Sequence, residues 1–199
     1  MKSNYYYFIA SLPHLSFAAP KPIFYDHFLS LCNSFLHEKD FKTIKSISFA
    51  GNDASHLHVI KSWMAWDGTL RRELASLRSA GLGRQSIIYG RPDQAGQSDS
   101  ADQADMTHTV KVAKEAFAIS MPLDADEFIE KARWEYIESL EFGRYFDVEW
   151  LALYSLKLQI LERREKFDKK AGLLRLHELM DRAREDYELT EAVKEAALG

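Results

Sequence analysis

A chain of 199 residues can enclose one good core or two small ones, and with 46% apolar and 28% charged residues it has the make-up of a soluble globular protein. A net charge of −4 argues against a general phosphate-binding surface, because nucleic-acid modules carry a basic excess. Cys32 is the only cysteine, which excludes an internal disulfide and a cysteine metal cluster. No run approaches the ~18 uninterrupted apolar residues of a membrane span, and residues 1–13 lack a leader's long apolar core and cleavage site, so a soluble cytoplasmic chain is expected.

In chain order, residues 5–10 (Tyr-Tyr-Tyr-Phe-Ile-Ala) are rich in strand formers, yet Ser11-Leu12-Pro13 stops them at once. With no second strong strand to pair with, an extended arm across helices is expected there. Pro20 and Pro22 keep the next segment extended. A helix follows over residues 25–37, with Phe24, Phe28, Leu31 and Phe35 on one side and Cys32 as a small buried group. A short helix at 40–47, capped by Asp40, has Phe41, Ile44 and Ile47 as its apolar edge. Gly51-Asn52-Asp53 is a turn signal.

Residues 57–80 keep helical spacing for about six turns, through Leu57, Ile60, Trp63, Met64, Trp66, Leu70, Leu74 and Leu77, with Gly81 and Gly83 as the stop. Asp67 and Arg71 stand four apart, a surface pair with a contribution of ~0.3–0.5 kcal/mol. Between Asp67 and Arg91 the basic residues are Arg71, Arg72, Arg78, Arg84 and Arg91, against Asp67 and Glu73 alone. A solvated helix face explains such an excess. So does a docking surface for an acidic partner, for which Arg71, Arg72, Arg78 and Arg84 are the candidate contacts.

Residues 90–105 hold Pro92, Gly96, Ser98, Ser100 and four aspartates, with almost nothing apolar; a linker or loop is expected between an N-terminal half, 1–89, and a C-terminal half, 106–199. Helix resumes at 106–119, with Val110, Ala113 and Phe117 in register, and Pro122 ends it. Asp124 with Glu127 forms a capping box for a helix through Phe128, Ile129, Ala132, Tyr136, Ile137 and Leu140, stopped by Gly143. Asp147 then caps the most apolar helix, carrying Trp150, Leu151, Leu153, Tyr154, Leu156, Leu158, Ile160 and Leu161, which belongs at the centre. These last two helices are expected to form an antiparallel hairpin. After a break at Gly172, residues 173–187 make an amphipathic helix through Leu173, Leu176, Leu179, Met180 and Ala183, and an alanine-rich tail closes the chain. The fold class is all-α: a bundle of six or seven helices with an extended N-terminal arm.

No catalytic constellation, cofactor motif or metal set emerges. Gly81-Leu82-Gly83 lacks the strand that a phosphate loop follows, and His56 and His58, two apart, diverge on a helix. His177 and Asp181 could share a ligand, but one such pair suits a solvated surface equally. Trp63, Trp66, Trp134 and Trp150 lie in apolar stripes and read as core.

Three segments taken together resemble a known family. They are residues 5–13, residues 63–78 (Trp-Met-Ala-Trp-Asp-Gly-Thr-Leu-Arg-Arg-Glu-Leu-Ala-Ser-Leu-Arg), and Arg133-Trp134-Glu135-Tyr136 leading into Tyr145-Phe146-Asp147 and residues 154–159 (Tyr-Ser-Leu-Lys-Leu-Gln). Their order resembles an uncharacterised bacterial family, a domain of unknown function encoded beside V-type ATPase subunits. The likeness covers most of the chain except 90–105 and the tail. It implies a helical accessory or central-stalk component that acts by protein contact, in the manner of the stalk protein that couples the central stalk to the membrane rotor ring. The partners it implies are other ATPase subunits, with a cytoplasmic location peripheral to the inner membrane and no nucleic acid. That stalk protein is much longer and built of repeats that this chain lacks, and no catalytic residue is carried over. The alternative is an unrelated helical adaptor or regulatory protein, as a homodimer through the Asp147 helix.

Overall fold

The structure, a computed structural model, describes residues 5–49, 56–81 and 100–166, and within 172–184 the residues 172, 174, 175, 177–182 and 184. Every regular element among them is α-helical. The elements are α1 (Tyr6–Ser11), α2 (Tyr25–Phe35), α3 (Glu38–Lys45), α4 (His58–Gly81), α5 (Ser100–Ala118), α6 (Pro122–Glu141) and α7 (Val148–Lys166). The chain divides into two compact units, Met1–Glu162 and Arg163–Gly199. Sequence on both sides of 90–105 therefore contributes to the first unit. No helix among the described residues is long and apolar enough to cross a membrane.

In the first unit α7 is enclosed almost all round. Residues 151–158 with Ile160 and Leu161 are buried, as the apolar run requires, and Asp147 caps the helix by accepting from the Trp150 N–H at 3.0 Å. Phe28 of α2 packs on Tyr154 at 5.2 Å between ring centroids, and the Tyr154 hydroxyl donates to the Pro13 carbonyl at 2.9 Å. Gln159 Nε2 donates to the Ile47 carbonyl at 3.0 Å. One long helix thus collects α2, the residues after α3 and the N-terminal segment, and its own apolar faces are used within the chain.

Several local expectations are corrected. Residues 6–11 form a helix, not an extended arm, because Tyr5, Phe8, Ile9 and Leu12 meet the core at spacings of three and four. The segment without regular structure lies further on, in 12–24, with a turn at 16–19; Leu15 is buried there and Phe17 meets Trp134 edge-on. On α2 the buried line is Phe28, Cys32 and then Leu36; Phe24 and Phe35 point to solvent. Its first turn takes its cap from far away: the Tyr25 N–H donates to Glu162 Oε1 at 2.9 Å. Asp40 does not cap α3, which starts after His37; its carboxylate accepts from the Tyr5 hydroxyl instead.

α4 matches its expected span and buries Ile60, Trp63, Trp66, Leu70 and Leu74, while Met64 lies outside. α5 begins at Ser100, so the end of the expected loop is already helical. Its buried line is Thr109, Val112, Ala113 and Ala116, and Phe117 is half-exposed with its ring edge against Gly81. That contact brings the C-terminal ends of α4 and α5 together, so the two run in the same direction. Pro122 opens α6 as a first-turn residue, a role its fixed φ suits, and the Asp124 capping box does not form. α6 runs opposite to α4: Trp66 stacks on Tyr136 at 4.4 Å, and the next residue along α4, Asp67, meets Arg133, about one turn back on α6. Gly143, at φ 79, turns the chain out of α6 in the left-handed region that glycine favours.

In the second unit the described residues of 172–184 are helical, Gly172 included, and the residues on either side of Gly172, where a break is expected, lie outside the described residues. Leu174, Leu179 and Met180 are exposed, and Arg175 pairs with Glu178 at 2.8 Å. Leu173, Leu176 and Ala183 of the expected stripe lie outside the described side chains. The turn expected at 51–53, the first part of the loop expected at 90–105 and the alanine-rich tail likewise fall outside the described residues.

Candidate functional site

The outer face of α4 depends on what lies beneath it. Asp67 is 6% exposed, and each of its oxygens meets an arginine: Oδ1 takes Arg133 Nε at 2.8 Å and Oδ2 takes Arg71 Nε at 2.6 Å. Arg133 Nη1 also donates to Glu130 Oε1 at 2.9 Å, one turn back on α6. Both Arg133 and Glu130 are buried. The Phe49 ring lies 5.9 Å from the Arg133 guanidinium, and the Phe49 carbonyl accepts from Arg71 Nη2 at 3.1 Å. Two guanidinium groups and two carboxylates balance in charge, so the cluster fastens α4 to α6. The Asp67–Arg71 pair expected on the surface is thus half inside, with Asp67 turned into the core.

Because Asp67 is turned in, the exposed charges of α4 are dominated by cations. Lys61, Arg71, Arg72 and Arg78 are exposed, while Glu73, the remaining carboxylate of the helix, is half-buried. Arg72 folds back on its own helix, donating to the Gly68 carbonyl at 3.2 Å and to Thr69 Oγ1 at 3.0 Å. A Cβ built at Gly68 meets nothing within 4 Å, so the helix surface is open at that point. Three of the four arginines expected as partner contacts therefore share one helix, and Arg84 lies outside the described residues.

A second ion cluster joins α6 to α7. Lys157 is buried beside Glu141 at 2.8 Å and Glu138 at 3.6 Å, and its ammonium lies 4.9 Å from the Trp134 ring centroid. Burial pushes the Glu141 carboxyl above its ordinary value, against the lowering effect of Lys157. Lys157 thus links α7 to Glu138 and Glu141 of α6, the two helices expected to form a hairpin. Both clusters carry a signal in the sequence: Glu130, Arg133 and Lys157 are charged residues on otherwise apolar stripes.

Burial pushes the Cys32 thiol up to about 12, so it stays protonated and unreactive at neutral pH. His56 and His58 are exposed, as are His177 and Asp181. Among the described residues no three of His, Cys, Asp or Glu come together as a metal set. A further feature carried no motif: Tyr6, Tyr7, Phe142, Tyr145 and Phe146 all reach solvent on α1 and the 142–147 loop.

A family model matches residues 56–187, more than half of the chain, and that family is described as a protein of unknown function, DUF2764. The chain belongs to DUF2764. The DUF2764 region contains α4 with its arginines, both ion clusters and the segments from 63–78 and 133–159 that carry the resemblance. It also spans 90–105, which the likeness in sequence left out, and it begins after the aromatic segment 5–13. No curated protein matches this DUF2764 chain. No solved structure matches it either.

Proposed function

We propose that this DUF2764 protein is a non-catalytic accessory or central-stalk subunit of a V-type ATPase, working by protein contact in the cytoplasm at the membrane periphery. The observation that carries the reading is the cationic outer face of α4, where Lys61, Arg72 and Arg78 stand out beside Arg71, which is itself paired with the inward Asp67. In a protein of net charge −4, such a face selects an acidic surface and orients it over a range set by screening. The resemblance of 63–78 and 133–159, in their order, to a family encoded beside V-type ATPase subunits is what favours an ATPase subunit as the partner. The two internal ion clusters add support, because they spend the buried charges on joining helices and leave contact to the surface.

The test is copurification. A tagged chain at native expression is expected to bring down ATPase subunits in low salt and to release them as salt rises. Arg72→Glu with Arg78→Glu is expected to abolish the capture without lowering the melting temperature, since both side chains are exposed. A preparation without any ATPase subunit overturns the assignment. Capture that survives both reversals moves the contact away from α4.

A further inference from the structure

We propose that the aromatic edge formed by α1 and the 142–147 loop is the contact between two copies of this chain. Tyr7 is 88% exposed and Phe142 86%, positions at which a large ring gains almost nothing from its own fold. Tyr6 packs on Phe146 at 4.6 Å and on Tyr7 at 5.4 Å, and Tyr145 lies 6.4 Å from Phe146, so four of the rings form one connected group. Phe142 sits on the same loop, next to the glycine that turns it. The group is held in place from behind: the Tyr5 N–H donates to the Phe146 carbonyl at 2.9 Å, and Tyr5, Phe8 and Ile9 are buried.

Area and charge favour a second copy as occupant. At ~200 Å² for a whole aromatic side chain, the five rings leave roughly 600 Å² in water, the upper end for a patch on a monomer. A standard interface takes about 800 Å² from each partner, so these rings with a thin rim supply one side of it. In a twofold contact the same patch meets itself, and any net charge would face its own sign. This edge has none to spare. α1 contains no acidic or basic residue, Arg144 is paired with Glu149 at 2.9 Å, and the charge of Asp147 is set against the positive N-terminal end of α7, which it caps. The cationic face of α4 has the opposite property and would repel its own copy, which keeps the two surfaces for different partners. Tyrosine hydroxyls on Tyr6, Tyr7 and Tyr145 let the rings meet with polar groups still hydrogen-bonded.

Sedimentation velocity on the full chain over a hundredfold concentration range decides the matter. The expected result is a reversible species of twice 22.9 kDa that Tyr7→Ser with Phe142→Ser converts to monomer. Tyr145→Lys, which sets like charges against each other across the twofold, is expected to do the same independently. Arg72→Glu with Arg78→Glu is expected to leave the dimer intact, so this inference and the ATPase reading fail separately. A wild-type chain that stays monomeric throughout overturns the proposal, whether the edge is covered by another segment of the chain or by a different protein. A dimer that survives both sets of edge substitutions overturns it as well.

Discussion

α4 and α7 are two long helices that both carry charge inside the protein, and they use it differently. α7 is apolar on nearly every side, so its one buried cation, Lys157, reaches past the Trp134 ring to carboxylates at the end of α6. α4 buries one stripe only, and its inward Asp67 is neutralised from both directions, by Arg133 across the interface and by Arg71 along its own helix. The first arrangement places a partner helix; the second also sets the charge of a surface. Turning one carboxylate inward leaves Lys61, Arg72 and Arg78 as exposed cations outside the balanced cluster. A buried ion pair between helices can therefore determine an exposed potential without itself being exposed.

The most severe way to break the α4 side is Arg133→Met. It leaves Asp67 and Glu130 in the core without their shared cation, and such a loss costs about 3–5 kcal/mol. Chemical denaturation should register it as a lower midpoint at unchanged slope. The comparison sharpens if Asp67 and Glu130 are also replaced by leucine, since an apolar set of similar volume is often as stable as the ions it replaces. Recovery of most of the loss would assign to the cluster a role in matching α4 to α6, with little net stabilisation. A smaller effect is expected at the start of α7. Asp147→Ala removes the acceptor of the Trp150 N–H, worth about 1 kcal/mol for a cap of this kind, and a thermal melt should shift down by a few degrees.

These two helices also mark where the sequence could be read. α7 was legible in full, cap included, because an apolar run with one aspartate before it has few other solutions. α4 was legible as a span, with its arginines placed on an exposed helix, but Asp67 was not. An i,i+4 pair with Arg71 satisfies it locally, and nothing local announces Arg133, which stands sixty-six residues later. Non-local partners account for the other misses. Asp40 and Asp124 had the spacing of caps, yet Asp40 serves Tyr5, while the cap of α2 comes from Glu162. The aromatic run at residues 5–10 has strand propensity, but a helix lets Tyr5, Phe8 and Ile9 reach the core together, and burial outweighs a propensity spanning about 1 kcal/mol. The exposed rings of the 142–147 loop had no periodicity to reveal them.

The cluster between α6 and α7 has a response to pH that Glu141 sets. Its carboxyl is held above the ordinary value of 4.5, chiefly by burial and only partly offset by Lys157. A carboxyl whose folded value exceeds its unfolded one binds its proton more tightly in the native state. Between the two values the native chain therefore holds more protons, and stability falls as pH rises through that window; the contribution is fully present below 4.5. Glu141→Gln removes the titration and keeps the shape. The expected outcome is that wild type, measured relative to Glu141→Gln by denaturation at a series of pH values, loses stability from about pH 4.5 upward and then levels off. A difference that instead grows with pH would mean that Lys157 dominates burial, making this pair a net stabiliser in its charged form and giving α7 the same kind of ionic fastening as α4.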